Sequence, residues 1–100
     1  MEQHTIHVTG ERNIRFKGEL IAEDREKTST GRFLDLKLYK TSGNNYVCVS
    51  KKITQWQGET DSTQAVLVKT KDEIMGFFGM SDLAKNIYFE ANIDCSVDVE

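Results

Sequence analysis

Residues 32–53 read RFLDLKLYKTSGNNYVCVSKKI, two alternating stretches on either side of Ser42-Gly43-Asn44-Asn45. Successive side chains of an extended chain point to opposite sides. In the first stretch Leu34, Leu36 and Leu38 therefore share a core face, and Phe33, Asp35, Lys37 and Tyr39 share the other. Ser-Gly-Asn-Asn is a turn signal, because Gly and Asn tolerate the backbone angles that a tight reversal needs. The chain then returns from Tyr46 to Ile53 with Val47 and Val49 inward. Lys51 falls in phase with those valines, which predicts that pairing ends or bulges there. An antiparallel hairpin at the centre of a sheet is the frame for everything else.

Working outward toward the N-terminus, Ile6 and Val8 predict a short strand ending at Thr9-Gly10. Ile14, Phe16, Leu20 and Ala22 alternate with Arg15, Lys17 and Glu19 and predict one long half-buried strand. Gly18 sits at its middle on the buried face, a position that marks a bulge or a close backbone approach, so the strand is expected to bend there. The polar run 24–31 reads as an exposed hairpin loop.

Toward the C-terminus, Ala65-Val66-Leu67-Val68 lacks alternation, which predicts an interior strand covered on both faces. The period then becomes helical. Thr70 and Glu73 fit a capping box, Ile74, Phe77 and Phe78 share one face, and Gly79 is a natural stop. Ser81 opens a second helix whose apolar stripe is Leu83, Ala84, Ile87, Tyr88 and Ala91, with Phe89 on the opposite side. The tail 93–100 alternates apolar with polar or acidic residues and suits either an edge strand or coil.

The predicted fold is α+β: a single domain over 1–100, with an antiparallel β-meander of about five strands covered on one face by two short C-terminal helices. The sheet spans 3–69, the helices 71–92 and the tail 93–100.

With 38% hydrophobic and 29% charged residues in 100, the chain has the composition of a globular domain. A net charge of −3 disfavours generic phosphate binding, which draws on a basic excess. The N-terminal residues lack the apolar stretch of a signal peptide, and no run is long enough to span a membrane, so a cytoplasmic location is expected. Cys48 and Cys95 have no ligand-spaced neighbours and read as reduced thiols. His4 and His7, the only histidines, are expected to be exposed on opposite faces of the first strand, where they could not share a metal. No metal site, cofactor or catalytic residue is predicted, and an enzyme is the less favoured reading.

Three segments carry binding potential. In Thr54-Gln55-Trp56-Gln57-Gly58-Glu59 the single tryptophan is either a core plug, the favoured reading, or a contact anchor. The outward residues of the hairpin, among them Arg32, Phe33, Lys37, Tyr39, Lys40, Tyr46, Lys51 and Lys52, mix rings with cations. A solvated face with Tyr39 and Tyr46 paired across the turn competes with that reading. Phe89 and the valines of the tail lie off the core stripe, as an interface residue would.

The stretch from Gly31-Arg32-Phe33 through Leu36, Leu38-Tyr39-Lys40-Thr41, Gly43 and Tyr46-Val47 to Trp56-Gln57-Gly58-Glu59 resembles the small bacterial proteins named for a C-terminal EXLDI motif. Cys95-Ser96-Val97-Asp98-Val99 aligns with that motif: valines stand for Leu and Ile, Asp98 is retained, and Cys95 replaces the leading Glu. The resemblance covers roughly the C-terminal two-thirds of the chain. It implies a bacterial cytosolic setting and carries over no catalytic residue.

The functional expectation is a non-catalytic protein-binding or self-associating module, with Arg32, Tyr39, Trp56, Gln57, Glu59 and Phe89 as candidate contacts and a homodimer as one form. The alternatives are a small enzyme or small-ligand binder near Trp56–Glu59, and a single-stranded nucleic-acid binder on the Arg32/Lys37/Tyr39 face.

Overall fold

The computed structural model describes residues 2–94 and bears out the α+β architecture. Five antiparallel strands run in sequence order: β1 (Glu2–Ile6), β2 (Ile14–Ser29), β3 (Arg32–Thr41), β4 (Tyr46–Thr54) and β5 (Ser62–Val68). Helices α1 (Lys71–Phe78) and α2 (Asp82–Glu90) follow. Thr9 and Thr63 are joined twice, Thr9 N–H to the Thr63 carbonyl at 3.0 Å and Thr63 N–H to the Thr9 hydroxyl at 2.9 Å, so the sheet curls until the end of β1 meets the start of β5.

Both helices pack on one face. Leu36 and Leu38 from β3, Ala22 from β2, Cys48 from β4 and Val68 from β5 meet Ile74, Leu83, Ala84, Ile87 and Tyr88 in a single buried cluster. Each Val, Leu or Ile side chain among them stabilises the fold by about 1.5–3 kcal/mol on burial. The caps follow the sequence. Glu73 N–H donates to the Thr70 hydroxyl, Ala84 N–H to the Ser81 hydroxyl, and Gly79, at φ +80°, closes α1. The reciprocal arm of the first cap differs from the expected box, since the Glu73 carboxylate accepts from the Thr70 hydroxyl. Asn86 donates to Asp24 and Glu90 accepts from the Glu23 amide, which ties α2 to β2.

Several expectations change. Residues 24–29 are not a loop: β2 runs on to Ser29, and Thr30 and Gly31 alone make the turn. Charged residues can extend an outer strand paired on one side only, since the ladder needs only backbone groups. A bulge falls at Ile21 rather than Gly18, between the pairs Leu20↔Tyr39 and Ala22↔Leu38, and a second register shift lies between Lys27 and Ser29. That extra residue flips the strand's phase, so Phe16 and Ala22 lie on opposite faces although both are even-numbered. Gly18 is instead a close approach, where a Cβ would overlap the Lys40 carbonyl oxygen.

Val47 and Val49 are buried, but on the face away from the helices, where they join Tyr39, Phe16, Ile6 and Ala65 in a second small core inside the curl. Lys51 does not end the pairing: β3 and β4 stay in register to Arg32↔Thr54. The apolar run in β5 does not make it an interior strand. Among the described residues it is the last strand of the sheet, and Leu67 is 53% exposed. Of the expected tail 93–100, residues 95–100 lie outside the described residues, while Ile93 is buried.

Candidate functional site

The helices cover only part of their face. Beyond Leu36 the same face continues through Leu34 and Arg32 on β3, Lys52 and Thr54 on β4, and Ser62 on β5, with Leu34 opposite Lys52 and Lys52 opposite Ser62. Leu34 still packs against the helix-covered core, and beyond it a cleft of about 550 Å³ opens, lined by strand and loop residues. Leu34 supplies apolar side-chain surface on this face, while Phe33 and Ile53, paired with each other, line the cleft from the strands with their side chains turned to the other face. Thr28, Thr54, Thr60 and Ser62 also line it. Its volume falls within the range of small-ligand and side-chain pockets.

A polar clasp organises the cleft wall. The Arg32 guanidinium grips the Glu59 carboxylate with two nitrogens, Nε donating to Oε2 at 3.2 Å and the second nitrogen to Oε1. The Thr54 hydroxyl donates to the same carboxylate at 2.7 Å and accepts from the Trp56 amide at 3.2 Å. Hydrogen bonds from Arg32 and then from Thr54 hold the Glu59 carboxyl below the usual glutamate range, and Glu59 raises the Arg32 guanidinium in return. Asp61 accepts from the Thr54 amide at 2.9 Å. The loop 55–61 is thus strapped to the strand ends by charge-assisted bonds, with Gly58 at φ +88° making its reversal. Lys52, exposed at the cleft, has no ion pair among the described residues.

Trp56 corrects the core-plug expectation: it is 49% exposed. Its indole N–H donates to the Thr30 carbonyl at 2.6 Å, and the ring lies against Gly31, where a Cβ would come within 2.8 Å of Nε1. It stands on the opposite side of the hairpin tip from the cleft, in a second hollow shared with Lys27, Phe33 and Gln55. Of the candidate contacts, Arg32 and Glu59 line the cleft and Trp56 is its neighbour. Gln57 is exposed in the strapped loop and lines neither hollow.

The other candidates lie elsewhere. Phe89 is 87% exposed on the outer side of α2. Tyr39 is only 6% exposed, packed edge-on to Phe16 at 5.1 Å and tilted over His4 at 4.8 Å. Burial first, and then the Glu23 and Asp35 carboxylates, push its hydroxyl above the ordinary tyrosine range. Arg32 and Tyr39 point to opposite faces, as do Tyr39 and Tyr46, because Tyr39 is opposite Val47 and Tyr46 opposite Lys40. The expected tyrosine pair and the combined Arg32/Lys37/Tyr39 surface therefore do not form as single patches.

Of the histidines, only His7 is exposed. His4 is half-buried, stacked on Phe16 and hydrogen-bonded through Nε2 to the Gly18 carbonyl at 3.1 Å. Cys48 lies deep under the helices, its thiol pushed up to about 12 by burial and then by Glu73. Among the described residues no three His, Cys, Asp or Glu side chains converge as a metal would need. None of the helices is long and apolar enough to cross a membrane, again among the described residues.

What sequence reasoning missed is the pairing of Arg32 with Glu59 and the role of Leu34, Lys52 and Ser62. The signal was present in the turn: once Ser42–Asn45 sets the hairpin register, Arg32 falls opposite Thr54 and beside the loop that carries Glu59. No family model, curated protein or solved structure matches the chain.

Proposed function

We propose that this chain is a non-catalytic protein-binding module that takes an apolar side chain of a partner, with a neighbouring acidic group, into the cleft at the helix-free end of the sheet. The observation that carries the reading is the cleft itself, lined by Leu34 and by the hydroxyl residues Thr54, Thr60 and Ser62, with Lys52 as a cation that has no ion pair among the described residues. Glu59 supports a binding role over an acid–base one. Its carboxyl is held below the usual range by Arg32 and Thr54, which suits a structural strut and opposes proton donation near neutral pH. On the EXLDI resemblance, the setting we infer is a bacterial cytosol.

The test compares affinity capture by the wild-type chain with capture by Thr60→Trp, which fills the cleft mouth, and by Lys52→Glu, which inverts its charge. Both positions are exposed, so the variants should fold. The reading predicts a partner retained by the wild type and lost by both. A partner retained equally by all three would exclude the cleft as the contact.

A further inference from the structure

The two edges of the sheet are built differently. The β1 edge is five residues long and carries Glu2 and His4, the kind of short, polar edge that resists pairing with another chain. The β5 edge, Ser62–Val68, reads Ser-Thr-Gln-Ala-Val-Leu-Val and contains no charge, no proline and no bulge. Leu67 on it is 53% exposed, and α1, which follows β5 in the chain, packs on β4.

The directions of its free groups follow from the Thr9 bridge. Thr63 turns both its N–H and its carbonyl toward Thr9, away from β4. Backbone groups alternate along a strand, so Ala65 and Leu67 direct theirs to the same side. Beyond the bridge at Thr63, no strand pairs along that side among the described residues.

We infer that β5 is a self-association edge, which pairs antiparallel with β5 of a second copy about a two-fold axis at Val66. The occupant is a second copy because the free groups are self-complementary in this register. Ala65 of each copy meets Leu67 of the other, and every free N–H finds a free carbonyl. An axis at Ala65 would set Leu67 against Thr63, whose groups Thr9 already holds. An axis at Leu67 would set Ala65 against Lys69, beyond the end of the strand. The Val66 register also lays the exposed Leu67 beside its neighbour's Ala65 on one face and brings the two Val66 side chains together on the other. The strand has no charge to repel its own copy, and the result is an isologous contact that joins two sheets into one. This surface is separate from the cleft, and its test does not depend on that reading.

Light scattering and sedimentation of the full chain from about 1 µM to about 200 µM cover the range in which so small an interface populates. The expected result is a reversible monomer–dimer equilibrium. Ala65→Pro removes an edge N–H without touching the β4 ladder, and it should abolish the dimer. Leu67→Lys places cations beside the axis and should weaken association at least tenfold; it decides the matter if the proline variant does not fold. Leu20→Lys, a substitution of another exposed leucine away from the edge, should leave the equilibrium unchanged. A wild type that stays monomeric throughout would overturn the inference. So would a dimer that survives the β5 substitutions, or one that only Phe89→Lys dissociates.

Discussion

The two ends of this sheet use the same strands to opposite purposes. At the end near the Ser42–Asn45 turn, β2, β3 and β4 lie under α2 and α1, and the side chains between them are excluded from water. At the hairpin-tip end the same strands continue with no helix over them, and what holds them is polar: the Arg32–Glu59–Thr54 clasp and the Trp56 bond to Thr30. Burial is the stronger term, and exposed ion pairs contribute little to stability. The covered end therefore carries the fold, and the open end is free to carry recognition.

That division predicts a gradient of mutational effects. Leu38→Ala should cost most, about 2–5 kcal/mol, because it empties a fully buried site under the helices. Chemical denaturation measures it, and a loss below that range would mean the helices are not the main source of stability. Gly18→Ala should follow at about 1–3 kcal/mol, since its new methyl overlaps the Lys40 backbone and neither strand can yield without disturbing the register.

At the open end the effects turn local. Gly31→Ala meets a positive φ of +74° and the Trp56 ring together. About 1 kcal/mol is expected from the backbone strain. Its clearer signature is a shift in tryptophan emission as the indole leaves Thr30. The same shift without any displacement of Trp56 in a structure of the variant would break the assignment.

Glu59→Gln should change global stability least, yet it should alter the response to acid. The Glu59 carboxyl lies below its ordinary range in the folded chain, so its contribution is fully present above the unfolded value and is lost as pH falls through the depressed one. Wild-type Trp56 emission should therefore report loosening of the 55–61 loop only in acid below the usual glutamate range. Glu59→Gln should show the loosened spectrum at neutral pH and no acid transition.

Much of the covered end was legible in the sequence, because burial writes itself as periodicity. Leu34, Leu36 and Leu38 fixed one face of β3, and Ile87 and Tyr88 marked the stripe of α2. The open end was less legible for equally physical reasons. A ribbon of charged residues such as 24–29 satisfies its backbone without apolar alternation, so the polar run concealed a strand. A single unpaired residue at Ile21 reverses the strand's faces from Ala22 to Lys27 and leaves no mark in composition. The apolar run of β5 looked like an interior strand because sequence shows what a strand could bury, not whether a neighbour is there. Trp56, expected to plug the core, stands 49% exposed instead, with its indole N–H bonded to a carbonyl in a turn twenty-six residues away.

Binding at the helix-free end is what sets the two ends apart. It is tested most directly by titrating the wild-type chain with anilinonaphthalene sulfonate, an apolar ring system bearing an anion, and following nitrogen–proton correlation spectra. Saturable shifts are expected, concentrated at Arg32, Leu34, Lys52, Thr54, Thr60 and Ser62. Shifts centred on the outer side of α2 around Phe89, or no saturable shifts at all, would contradict it.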